Sequence, residues 1–234
     1  LRSDLGAPGG FEIAVLNATM TVTRRIPLVG VPSRARVSAS GRMISWTVFV
    51  TGDSYNGGRF STQSGILDTR DNTLAGTLED FTVTIDGKPY TAQDLNFWGV
   101  TFTAGDNLFY ATMSTTEHRY LVEGDFAART FRVLHDNVEC PSLSPDASRI
   151  AYKKRISDDP AHLWQLTVLD LSTMEEVPLA ETRNVDDQAA WLDSGTIGYA
   201  IAKGGNGADV WTVAADGTGT PRLIAPNAES PAAL

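Results

Sequence analysis

Cys140-Pro141-Ser142-Leu143-Ser144-Pro145-Asp146-Ala147-Ser148-Arg149-Ile150-Ala151-Tyr152 reads as a strand, a tight turn and a second strand. Pro145 presets φ for the turn and Asp146 can accept bonds from its own backbone; Ile150 and Tyr152 then fall on one strand face. Degraded copies recur along the chain. Ser33 to Trp46 turns at Ser38-Ala39-Ser40-Gly41, Trp98 to Tyr110 at Thr103-Ala104-Gly105-Asp106-Asn107, and Ala189 to Tyr199 at Leu192-Asp193-Ser194-Gly195. Each copy ends on an aromatic (Trp46, Tyr110, Tyr152, Tyr199), at spacings of 64, 42 and 47 residues. Repeats of roughly 40 to 50 residues built from short strands mark a propeller.

A second hairpin follows each of these and also opens the chain. Its copies are Phe11 to Leu28, Ser64 to Phe81, Arg119 to Leu134, Trp164 to Leu179 and Val210 to Ile224. Alternation is clear in Gln165-Leu166-Thr167-Val168-Leu169-Asp170, where Leu166 and Val168 share a face. Five second hairpins against four first hairpins mean that the chain begins halfway through a blade. The expectation is one all-β domain over residues 1–234, a propeller of five blades of four antiparallel strands. The first blade is incomplete at the N-terminus, and Ser230-Pro231-Ala232-Ala233-Leu234 pairs with it to close the ring and hide its edges. Six blades, the second choice, would need more chain upstream of Leu1. The long first interval holds an insertion, Phe81 to Tyr90, whose Asp86-Gly87 pair predicts an added outer hairpin. No stretch shows sustained helical periodicity with caps.

The 234 residues are 42% hydrophobic and 20% charged, enough for a large core, with a formal net charge of −9 and no basic stripe. That balance argues against nucleic acid or an anionic membrane surface as a partner. No apolar window is long enough to span a bilayer. Cys140 is the single cysteine, so no disulfide forms within this stretch; it reads as a small buried hydrophobe or as the partner of a thiol outside it.

Ser144-Pro145-Asp146-Ala147, followed by Ile150-Ala151-Tyr152 and later by Leu169-Asp170, resembles the repeat of the TolB-like β-propeller family. Ala147 stands where that repeat usually has glycine, and the turns at Ser38, Gly105 and Ser194 match less well. Pro32 to Val37, Asn96 to Phe102 and Val185 to Gln188 are similar to exported TolB-like proteins of actinobacteria. The resemblance implies an extracytoplasmic location, secreted or in the cell envelope, and protein–protein binding to other envelope or exported proteins. It implies no activity.

In a propeller every inner strand starts at one face, so residues just before each first hairpin line a common channel mouth. Here these are Arg34, Arg36, Asn96, Trp98, Asn137, Glu139, Asp187 and Gln188. The loops joining the two hairpins of a blade crown the same face, Thr51 to Arg59 with Asp53 and Tyr55 being the largest and Arg155 to His162 the next. A polar rim with aromatics suits a ligand or peptide. The plainer alternative is that these groups satisfy one another across the channel. Asp53, Glu139 and Asp187 could serve as a glycosidase-like set of carboxylates if two of them met across an open pocket. Against other chemistry, the chain has no G-x-S-x-G elbow, and His118, His135 and His162 fall in no metal-binding pattern. Gly204-Gly205-Asn206-Gly207 opens no helix, so it is no phosphate cradle. The expectation is therefore a monomeric, non-catalytic binding or scaffolding propeller without cofactor or metal, the rival being a glycan-acting hydrolase.

Overall fold

A computed structural model describes residues 10–50, 61–116, 118–204 and 207–232. In chain order its strands are β1 (Phe11–Leu16), β2 (Val22–Leu28), β3 (Val31–Val37), β4 (Met43–Val50), β5 (Ser61–Asp68) and β6 (Leu74–Ala75). There follow β7 (Thr82–Ile85), β8 (Lys88–Tyr90), β9 (Asn96–Phe102), β10 (Leu108–Thr115), β11 (His118–Asp125) and β12 (Thr130–His135). The last are β13 (Glu139–Leu143), β14 (Arg149–Arg155), β15 (Trp164–Asp170), β16 (Glu176–Pro178), β17 (Ala190–Trp191), β18 (Thr196–Ala202), β19 (Ala208–Ala214) and β20 (Arg222–Ala225). Two 3-10 turns, Leu78–Asp80 and Pro160–His162, are the helical elements among the described residues, and neither approaches the length of a membrane span.

These strands form four blades, β3–β6, β9–β12, β13–β16 and β17–β20, each an antiparallel sheet in sequence order from the centre outward. The second strand of a blade is covered on both faces by neighbours, which is why β4 reads Met-Ile-Ser-Trp-Thr-Val and is buried throughout that run. Aromatics at these positions lie over glycines of the next strand: Trp46 is paired with Gly65, and Phe109 with Gly124. Between blades the core divides into clusters. The largest, between the first two blades, stacks Phe97 on Phe131 at 4.5 Å and includes Phe81 and Phe109. Tyr110, Ile150 and Tyr152 fill the second gap, and Val168, Trp191 and Tyr199 the third.

The 140–152 hairpin forms as the sequence implies. Asp146 Oδ1 accepts from the Ser144 hydroxyl at 2.5 Å, the Ser148 amide at 3.1 Å and the Ser148 hydroxyl at 2.8 Å. Corresponding turns place Gly41 (φ 76°), Asp106 (φ 65°) and Ala147 (φ 58°) in the left-handed region, each donating its N–H three residues back. The inserted hairpin also forms, with Asp86 and Gly87 at positive φ, and β7 adds in parallel to β12 of the following blade. Ser64 to Phe81 is paired less far than its pattern implies. β6 ends at Ala75, and Thr77 then caps the 3-10 turn at Leu78–Asp80.

The blade count needs correction: among the described residues there are four complete blades, not five or six, and no strand pairing that closes the ring. Among the described residues β1 and β2 pair only with each other, as a two-stranded sheet packed on the first blade through Phe11, Ile13, Ile26 and Leu28. Ser230 to Ala232 form no strand. Counting hairpins cannot show whether the fifth one meets inner strands, and among the described residues it does not. On β3, Ser33, Ala35 and Val37 are consequently exposed, Val37 to 60%. The small cluster of Ala200, Ala208 and Val210 belongs to the last blade alone. Side chains join the first and last blades instead: Arg34 Nη2 donates to Asp187 Oδ1 at 2.6 Å and Arg36 Nη2 to the Ala189 carbonyl at 3.1 Å.

Candidate functional site: a charge-paired central funnel

The inner strands start around an open funnel of about 1370 Å³, lined by residues of all four blades. Arg34, Asn96, Trp98, Glu139, Asp187 and Gln188 lie on its wall. Asp53 and Tyr55 fall outside the described residues. Asn137 is not part of the wall; its side chain accepts the Arg155 amide at 3.1 Å and donates to the Arg155 carbonyl at 2.9 Å. Arg36 is not part of the wall either; it is half-buried and donates to the Ala189 carbonyl. Arg34 and Arg36 are two apart on β3 and so share a face.

The wall's carboxylates are committed. Asp187 takes Arg34 on Oδ1 and the Ala200 amide on Oδ2 at 3.0 Å. Glu139, buried to 7% exposure, forms an ion pair with Arg119 and lies 3.5 Å from Lys153 Nζ. Lys153 in turn reaches Asp186 at 2.6 Å and lies 4.7 Å from the Trp164 ring centroid. Burial opposes the Lys153 charge, but the acidic groups around it outweigh that and hold its pKa above the ordinary lysine value. Asp94 accepts the Thr115 hydroxyl at 2.8 Å and the Thr116 amide at 2.6 Å, and against its partial burial these bonds keep its pKa low.

The neutral amides of the mouth are structural joints. Asn96 accepts the Thr62 amide at 2.8 Å and donates to the Asp94 carbonyl at 2.9 Å, fastening the first blade to the second. Gln188 donates to the Pro141 carbonyl at 2.9 Å, fastening the last blade to the third. Next to it Gly99 has φ 68°, and a Cβ there would stand 2.9 Å from Cys140 Cα, so this close approach requires glycine. Cys140 is neither fully buried nor in a regular strand conformation. It is a half-buried free thiol on the funnel wall at φ 53°, and burial pushes its pKa up, so it is neutral at pH 7.

Arg119, Lys153, Trp164, Asp94 and Asp186 are wall residues that repeat phase alone does not single out. Lys153 comes from the far end of a second strand and Trp164 from the start of a third, positions that return to the same face as the inner-strand starts. Reading both ends of each hairpin would have found them.

A second cavity of about 310 Å³ lies between the first two blades and touches Glu79, Asp94 and Asn96. Burial raises the Glu79 pKa to about 7, against hydrogen bonds from the Thr77 hydroxyl and the Phe97 amide. The three histidines each face one carboxylate: His118 with Asp136, His135 with Glu176 and His162 with Asp159. No group of three metal-ligating residues occurs among the described residues.

No protein-family model matches the sequence, and no curated protein is similar to it in sequence. Solved structures do match. TolB from Acinetobacter baumannii superposes with a TM-score of 0.61 at 18% identity over 91% of this chain, which spans 48% of that protein's length. A putative TolB from Agrobacterium tumefaciens gives 0.58 at 10% identity, over 93% of this chain and 74% of its own. A puromycin hydrolase gives 0.52 at 14% identity over 84% of this chain, matching 29% of the enzyme. At such identities the likeness concerns the fold: the chain is a β-propeller whose structural neighbours include TolB and TolB-like propellers.

Proposed function

We propose that this protein is a non-catalytic binding propeller that works outside the cytoplasm, its funnel receiving a polar segment of a protein partner. The observation that carries this reading is that Glu139 and Asp187 are held in separate ion pairs while the funnel around them stays open. A general acid and its partner must be free to exchange protons with a substrate, and these carboxylates are engaged by cations. Space, indole surfaces at Trp98 and Trp164, and charges of both signs are what a peptide segment uses. The fold shared with TolB supports an envelope setting.

The test uses purified wild type and Trp98→Ala as baits for exported proteins, with each captured protein then titrated in pure form. A partner whose affinity falls about tenfold or more in Trp98→Ala supports the funnel. Partners bound equally by both baits would move the working surface elsewhere. A parallel assay on glycans, with Glu139→Gln as control, decides the rival: turnover lost in that variant would make the protein a hydrolase.

A further inference from the structure

In every complete blade the second strand pairs antiparallel with the third: β4 with β5, β10 with β11, β14 with β15 and β18 with β19. β1 takes the place of a third strand. Asn17 Oδ1 at its end accepts the amide two residues on at 3.0 Å, as Asp68 does at the end of β5 at 3.0 Å and Asp170 at the end of β15 at 2.8 Å. Arg24 of β2 reaches Asn72 in the turn after β5, so β2 is the outer strand and the other edge of β1 faces inward, toward β3. Among the described residues no strand pairs with that edge. The face of the first blade beside it is also uncovered. Ile44, Trp46 and Val48 of β4 are buried under β1 and β2, whereas Val37 and Ala35, cross-strand neighbours of Ile44 and Trp46 on the same face, are exposed, Val37 to 60%. On β9, the inner strand of the next blade, Phe97 and Val100 are instead buried in a cluster that includes Met43 of β4, a second strand. An unpaired edge is a template for a further strand, and proteins blunt the edges that must stay free. β8 carries Lys88 and Pro89, β16 ends on Pro178, β6 is two residues long, and β2 carries Arg24, Arg25 and Pro27. β1, Phe-Glu-Ile-Ala-Val-Leu, has six residues, no proline and one charge, Glu12, which is paired with Arg25.

We infer that the slot between the free edge of β1 and the face of β3 is a docking site for an extended segment of a partner protein, which adds to β1 as an antiparallel strand. The occupant's chemistry follows from continuity with the interface that Ile44, Trp46 and Val48 already form with β1 and β2. It is a strand of six residues, the length of β1, with its main chain bonded to β1 and apolar side chains at alternate positions to cover Ala35 and Val37. Ser230 to Ala232 form no strand and do not supply it. The slot lies on the first blade, and the inference stands apart from the reading of the funnel as a receptor.

The test titrates the full chain with a synthetic peptide of the sequence Arg149–Arg155, the second strand of the third blade, its ends blocked, while amide hydrogen exchange is followed along Phe11–Leu16. Saturable binding should slow the exchange of alternate β1 amides at least tenfold, since every other N–H of a strand points to the same edge. The same peptide carrying Ala151→Pro keeps its charge but cannot complete the ladder, and should have no effect. In the protein, Val37→Asp changes an exposed side chain on the slot floor and should weaken binding at least tenfold; Leu223→Asp, also at an exposed position, on β20, should leave it unchanged. Slowing by both peptides, equal binding in Val37→Asp, or no slowing in β1 up to millimolar peptide overturns the inference. So does protection of the β1 edge in the peptide-free monomer, which would give the slot to this chain itself. Protection that grows with protein concentration, alongside sedimentation as a dimer, would give it to a second copy and overturn the inference equally.

Discussion

Replacing Glu79 with glutamine should remove a pH dependence that the wild type carries between about pH 4.5 and 7. Glu79 sits in the capped 3-10 turn between the first two blades, where burial raises its pKa from 4.5 to about 7. A carboxyl group with a raised folded-state pKa is stabilised in its protonated form. Its contribution is full below the unfolded value and is lost as pH rises through the folded one. A displacement of this size corresponds to about 3 kcal/mol at 1.36 kcal/mol per unit. Asp68, Asp146, Asp170 and Glu176, held at about 2 by their bonds, change stability only in more acid solution. Urea unfolding at pH 5, 6, 7 and 8 should therefore show wild type and Glu79→Gln nearly equal at pH 5, with the variant gaining to about 3 kcal/mol by pH 8. A difference that stays constant from pH 5 to 8 would refute the assignment of burial as the dominant influence on Glu79.

Ala147→Gly should stabilise the protein by roughly 0.5 kcal/mol: removing a left-handed alanine recovers about 1–2 kcal/mol, and glycine's extra freedom in the unfolded chain takes back about half. Equilibrium denaturation measures it, and a loss of stability would mean that the alanine methyl makes a contact outweighing φ 58°. Gly124→Ala should destabilise by about 1–3 kcal/mol, since its Cβ would lie 2.3 Å from the Phe109 ring in a filled core. The paired variant Gly124→Ala/Phe109→Leu should recover part of that loss, and equal stability of Gly124→Ala and wild type would show that the ring moves freely.

What the sequence makes legible is local. Turn chemistry at Ser144 to Ser148 and period-two burial in Gln165 to Asp170 specify hairpins within a few residues of themselves, and those hairpins formed. That Arg34, Trp98, Glu139 and Asp187 line one funnel was also readable, because strand direction alone brings them to one face. The number of complete blades was not, since it depends on whether β1 finds an inner partner, a matter of pairing between distant segments. The same holds for Arg34 with Asp187, 153 residues apart, which no local pattern announces.

That long-range pairing determines what the funnel can accept. Lys153 touches Glu139, Asp186 and Trp164, and Arg119 shares Glu139, so these wall charges act together. A ligand bringing one cation to Glu139 competes there with Arg119 and Lys153, and Lys153 then depends on Asp186 alone for its counter-charge. A ligand bringing both signs can instead exchange partners, its cation replacing the displaced one and its anion meeting it. On the proposed reading of the funnel, the interlocked wall favours segments with alternating charge over singly charged small molecules.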